Sequence, residues 1–203
     1  MAEPENNGRL PAGAPQEARP AHRPPPDRPI PGTGQRHRHL LVVLALDKPG
    51  VLNRVASLMR ARNFNIESLA VSHTDQPGIS RMTIVIYGDD VQVEQATKQL
   101  YKLIDVLKVQ DVTNDPIVEH ELALIKVRAT ERTRSEVIKI VELYRGRIVD
   151  VASDAVIVEA VGTEQEIDAL VALVRGFGIK ELVRTGAVVM TRGAGSIEEA
   201  LKR

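Results

Sequence analysis

Leu46–Leu69 reads LDKPGVLNRVASLMRARNFNIESL. An apolar strand, HLLVVLAL from His39 to Leu46, runs into Asp47-Lys48-Pro49-Gly50. Pro49 fixes one backbone angle and Gly50 permits a conformation that other residues resist, so the chain turns there. Leu52, Val55, Ala56 and Met59 then recur at helical spacing and predict a helix over Val51–Arg62, with Arg54, Arg60 and Arg62 directed largely elsewhere. Asn65–His73 returns as a strand. Continuous apolarity in the first strand predicts burial on both of its faces or nearly so.

Outward from this corner the pattern completes itself. Ile79–Tyr87 (ISRMTIVIY) pairs with Asn65–His73 across the turn formers Thr74–Gly78. Val93, Ala96, Leu100 and Leu103 stripe a second helix, and Leu107–Val112 closes a βαββαβ unit. After Thr113–Pro116 the same order recurs: strand Glu121–Ala129, helix Arg134–Tyr144, strands Arg147–Val151 and Ala155–Val161 around Ser153-Asp154, helix Thr163–Arg175, strand Lys180–Thr185. Thr163 with Glu166 three residues on fits a helix-start capping box.

Two such units predict an α+β protein of two tandem ferredoxin-like modules, 37–114 and 117–192, each a four-stranded antiparallel sheet with both helices on one face. The bare sheet faces and edges need cover, which favours pairing between chains. From Gly186 a short tail is expected, the last module being bounded at 192 and 193–203 carrying a small helix from Ser196. Residues 1–36 hold nine of the twelve prolines and almost no large apolar side chain. Such a segment cannot bury enough surface to order itself, and a disordered tail is expected. It has no signal-peptide core, and no apolar run is long enough to span a bilayer.

Composition narrows the function. Lys plus Arg and Asp plus Glu number 27 each, so no whole-molecule field attracts nucleic acid or an anionic membrane. Cysteine is absent, which removes disulfides, thiolate nucleophiles and thiolate metal sites and makes the cytoplasm the expected compartment. Aromatics are 2%, so the cores must be aliphatic. GxGxxG, GxxxxGK[ST], HExxH and GxSxG are all missing, and no nucleophile–base pair stands out. His37 and His39 are expected on a solvated tail tip rather than on a metal, and Asp89-Asp90 as a turn with a helix-terminal charge. Arg132, Arg134, Arg145 and Arg147 are read as a solvated face. No catalytic or metal-binding residue is assigned.

A ligand site without catalysis remains. The first amides of the helix, from Gly50 through Val51, Leu52 and Asn53, are orphan donors at the positive end of a helix dipole and suit a carboxylate. Asp47 can accept from an ammonium group. One loop thus offers partners to both charges of an α-amino acid. Ordinary capping by Asp47 and an ordinary turn at Gly50 would account for the same residues.

Asp47–Leu52 after an apolar strand resembles the signature of the ACT domain, a ferredoxin-like regulatory module that binds amino acids. GVLNRVASLMRARNFNIESLAVSHTDQPGISRMTIVIYGDD, QLYKLIDVLKVQDVT and RGRIVDV together resemble the small regulatory subunit of acetolactate synthase (acetohydroxyacid synthase) over about residues 37–192. That resemblance implies a non-catalytic subunit of branched-chain amino acid biosynthesis. It implies homodimers formed by ACT domains side by side, with valine at their interface as the feedback ligand. It also implies a catalytic (large) subunit as partner, carrying thiamine diphosphate, Mg and FAD, with no cofactor on this chain. Carried over position by position, the Gly50, Val51 and Leu52 amides meet the carboxylate, Asp47 the amine, and Asn65 and Ile66 close the site. A free-standing ACT-domain sensor for another enzyme is the alternative.

Overall fold

A computed structural model describes residues 34–201, and the expectation for the proline-rich segment falls mostly on residues outside that range. The first module comprises β1 (His37–Leu46), α1 (Val51–Ala61), β2 (Ile66–His73), β3 (Ile79–Gly88), α2 (Asp90–Leu100) and β4 (Val106–Asp111). The second comprises β5 (Ile117–Arg128), α3 (Arg134–Leu143), β6 (Arg147–Val151), β7 (Ala155–Gly162), α4 (Glu164–Val174) and β8 (Ile179–Arg184). Their sheets have the same order, β2-β3-β1-β4 and β6-β7-β5-β8, with antiparallel pairing throughout. The expected pair of ferredoxin-like modules is what forms.

Alternation in β1 sends its side chains to two cores. Leu41, Val43 and Ala45 join Val55, Met59, Ala96 and Leu100 beneath the helices, while Leu40, Val42 and Leu44 face the other way. Both sets are buried, as the apolar run requires. In α1 the buried stripe is Val51, Val55 and Met59; Val55 and Met59 are as expected, Ala56 is partly buried, and Leu52 is exposed with Val51 in its place. The spacing i, i+4, i+8 from Val51 aims that line at the sheet and turns Leu52 off it. The helix leaves through Asn63, which takes a left-handed φ of 58°, so that the Phe64 amide reaches back to the Met59 carbonyl at 3.0 Å. Phe64 lies over Gly88, where an added Cβ would stand 2.8 Å from its ring.

The segment from Gly186 is more than a tail. Val188–Thr191 forms β9, paired antiparallel with Ile117–His120, the early half of a β5 longer than its apolar pattern suggested. A short 3-10 helix, Ile197–Leu201, follows. Ala187, Val189, Ile197 and Ile117 pack on Leu40, Val42, Leu44 and Val85, so the outer face of the first sheet is covered by its own chain rather than left for a second one. Arg81 donates to the Val189 carbonyl at 2.7 Å and Ser68 Oγ accepts from the Ala187 amide at 3.1 Å, fixing the cover in place. On the second sheet the outward side chains Leu124, Val161 and Val183 stay exposed.

Helix starts follow the sequence. Asp89 N-caps α2, accepting from the Gln92 amide at 2.7 Å, and Thr163 with Glu166 forms the full capping box on α4. Of the four arginines around α3, Arg132, Arg145 and Arg147 are exposed, as a solvated face requires, and only Arg134 is partly buried. Arg134 donates to the Ala152 and Ser153 carbonyls at 2.9 and 2.8 Å, and Arg147 forks onto Glu159.

Candidate functional site

Gly50 is the N-cap of α1, with φ 84° and no side-chain cap. Asp47 therefore does not cap the helix. Its carboxylate turns to the β2–β3 hairpin instead, accepting from Ser80 Oγ at 3.1 Å and lying 3.3 Å from His73 Nδ1. Its amide donates to the Gly78 carbonyl at 2.8 Å. The corner is clamped from the far side by Asp105, which is buried, pairs with Lys48 and Arg54, and accepts the Leu46 amide at its carbonyl. The Val51 amide turns back to the Lys48 carbonyl at 3.3 Å; those of Gly50, Leu52 and Asn53 have no acceptor among the described residues. Three donors and one carboxylate stand ready at an exposed corner, with Leu52 half-exposed beside them.

Asn65 and Ile66 lie elsewhere. Their end of β2 pairs with Ile86 of β3, whereas the His73 end, beside Asp47, pairs with Ser80. Six residues along β3 separate the two ends, about 20 Å at strand rise. One chain therefore does not bring Asn65 and Ile66 to the Asp47–Leu52 corner. Asn65 instead donates to Glu67 at 2.8 Å, at a bulge between Ile66 and Ser68. β2 is the edge of its sheet, and its outer edge has no strand partner among the described residues.

A second concavity, about 470 Å³, lies where Ser68, Leu69 and Tyr87 of the first module meet Glu121, Thr185 and Gly186 of the second. Ion pairs line it: Arg38 with Glu119 and Glu164, Arg184 with Glu121 and Asp168. Burial alone would lower both guanidiniums; the bonded carboxylates outweigh it and hold each above its ordinary value. Arg38 and Arg184 are thereby occupied as struts between elements. Ser80, His73, Asp105 and this cleft have no local sequence signal, because each depends on residues tens of positions apart meeting in space.

Comparison with known proteins covers both modules. The family described as "AHAS small subunit-like ACT domain" matches residues 41–108, and "Small subunit of acetolactate synthase" matches residues 120–193. A probable acetolactate synthase small subunit of Methanothermobacter thermautotrophicus is 52% identical over 157 residues, 77% of this chain and 94% of that protein. The acetolactate synthase small subunit of Aquifex aeolicus is 48% identical over 167 residues, 82% of this chain and 87% of that protein. A crystal structure of the small subunit from Thermotoga maritima superimposes with a TM-score of 0.73 at 39% identity, covering 78% of this chain and 99% of that one. With both modules matched and the relatives spanned almost end to end, the chain belongs to the acetolactate synthase small subunit family.

Proposed function

We propose that this chain is the non-catalytic regulatory subunit of an acetolactate synthase, raising the activity of a larger catalytic subunit and carrying valine feedback to it. In this reading thiamine diphosphate, magnesium and FAD belong to the catalytic subunit. This chain supplies amino-acid recognition and a surface to bind that partner. The observation that carries the proposal is the Asp47–Leu52 corner, in a chain whose relatives are acetolactate synthase small subunits.

The free edge of β2 supports a homodimer as the ligand-binding unit. If two β2 strands pair antiparallel about a two-fold axis, the Asn65 end of one lies beside the His73 end of the other. Asn65 and Ile66 of the second copy then approach Asp47, Gly50, Val51 and Leu52 of the first, giving two equivalent pockets. Amides would hold the carboxylate and Asp47 the amine. Burying the valine side chain contributes about 1.5–3 kcal/mol, so the charged contacts carry much of the affinity. Discrimination among valine, leucine and isoleucine rests on about 1–3 kcal/mol of packing. The outward Leu124, Val161 and Val183 face of the second sheet supports contact with the catalytic subunit.

The test is acetolactate formation by the catalytic subunit with and without this chain, at increasing valine. A several-fold rise on adding the chain, and inhibition by valine that Gly50→Asp and Asn65→Ala each relieve without losing activation, is the expected result. No complex and no rise sinks the proposal and favours a free-standing amino-acid sensor. Unchanged valine affinity in both variants by calorimetry removes the site from this corner.

A further inference from the structure

At the opposite end of β1 from the Asp47 corner, two side chains of β1 and one from the start of α2 converge. His37 and His39 stand two residues apart and so on the same face of β1, their rings 4.1 Å apart between centroids. Asp90, the first residue of α2, brings its carboxylate to within 3.3 Å of His37 Nε2 and 3.8 Å of His39 Nε2. The three donor atoms all lie within 4.8 Å of one another. His39 is 2% exposed, and its Nε2 is buried without a hydrogen-bond partner. The expectation of two solvated histidines on a tail tip therefore fails for His39, because β1 begins at His37 and carries both residues into the sheet.

The outer nitrogens of both rings face acceptors. His37 Nδ1 is 3.3 Å from the Gln35 carbonyl, which accepts only, so Nδ1 carries the proton. His39 Nδ1 is 3.3 Å from the Asp111 carboxylate, whose other oxygen accepts from the Thr113 amide at 3.0 Å and from the Thr113 hydroxyl. That carboxylate likewise accepts a hydrogen bond from His39 Nδ1–H. Both Nε2 atoms face Asp90, and a neutral ring with its proton on Nδ1 offers a lone pair there. That of His39 is buried with no partner, which is costly, and a cation relieves it.

We propose that His37, His39 and Asp90 bind a divalent transition-metal ion of the zinc type. Two neutral imidazoles and one carboxylate are the donor set such ions take, with solvent completing the shell. Bonds of about 2.0–2.2 Å at tetrahedral angles place donors about 3.3–3.5 Å apart, a contraction of the unliganded cluster, whose donor atoms lie within 4.8 Å. Asp90 is largely exposed and free to swing inward. Asp111 behind His39 and the Gln35 carbonyl behind His37 act as outer-shell partners that orient the rings. Two carboxylates, Asp90 and Asp111, match the charge of the ion and oppose the positive start of α2. Bound there, the ion ties the first residue of β1 to the first turn of α2.

The test uses the untagged full chain, freed of metal by chelator, titrated with Zn²⁺ by calorimetry and with Co²⁺ by visible absorption. One saturable site per chain, a Co²⁺ spectrum of nitrogen–oxygen ligation and a raised melting temperature are expected. His37→Ala and Asp90→Asn, both at exposed side chains, are expected to weaken Zn²⁺ by about tenfold to a hundredfold or more while leaving the metal-free circular dichroism unchanged. Absence of saturable binding, or binding that either variant leaves unaltered, overturns the site. The second result would move it to another ligand set, such as one including His22.

Discussion

Gly50 shows how much one residue decides. Its φ of 84° is in the left-handed region, and a Cβ built there would meet only Arg54 Nη1, at 3.7 Å. Space is therefore not the obstacle; the backbone conformation is. Gly50→Ala is expected to cost about 1–2 kcal/mol, seen as a lower urea midpoint with an unchanged slope. A loss well below that would mean the corner relaxes to an ordinary turn. Gly50, the Asp89 cap and the Thr163–Glu166 box were legible because each is a local contract between neighbours in sequence. Asp47 was not, since its partners Ser80 and His73 arrive with a hairpin about thirty residues away. His39 was misread for a related reason. A polar residue at a strand's first turn looks solvated until α2 and Asp111 close over it.

Among elements, β1 was read but for its first two residues, and β9 was not. Seven consecutive apolar residues, Leu40–Leu46, announce a doubly buried strand, whereas Val188–Thr191 is four residues long and takes its conformation from Ile117–His120 and the sheet beneath. The β-branched pair Ile117-Val118 just after Pro116 was the available signal for an extended β5. Because Leu44 is fully buried under this ribbon, Leu44→Ala is expected to destabilise by about 2–5 kcal/mol in chemical denaturation. Val189→Ala removes material from the same cluster, so the double variant should depart from additivity by about 0.5 kcal/mol or more. Strict additivity would mean the ribbon and the strand do not share a core. The bulge at Ile66–Ser68 is another feature that periodicity alone did not show.

Over the whole molecule the two modules share one topology but not one surface. Three carboxyl groups held below their ordinary values all belong to the second. A Lys180 hydrogen bond lowers Asp154, an Arg147 hydrogen bond lowers Glu159, and the Thr163 amide lowers Glu166. In the unfolded chain these groups take up protons at higher pH than in the fold, so the unfolded state binds more protons and stability falls as the pH is lowered. The contribution is present above their ordinary values of 3.8 and 4.5 and is lost as pH drops through the lower folded values. Hydrogen exchange is expected to show protection in α4 and the β6–β7 hairpin declining below about pH 4.5, and declining less steeply in a Glu159→Gln, Asp154→Asn variant. A flat profile in the parent chain would contradict it. The duplicated architecture was legible because each module's contacts are mostly its own; the cover over the first sheet was not, because it belongs to the far end of the chain. That cover also sets an order of events during synthesis. Val189 follows Leu44 by about 145 residues, which at about 5–20 residues per second is roughly 7–30 s of translation. Through that interval Leu40, Val42 and Leu44 form an uncovered greasy face on a module otherwise ready to fold, and a nascent chain in that condition is a natural client for a ribosome-associated chaperone.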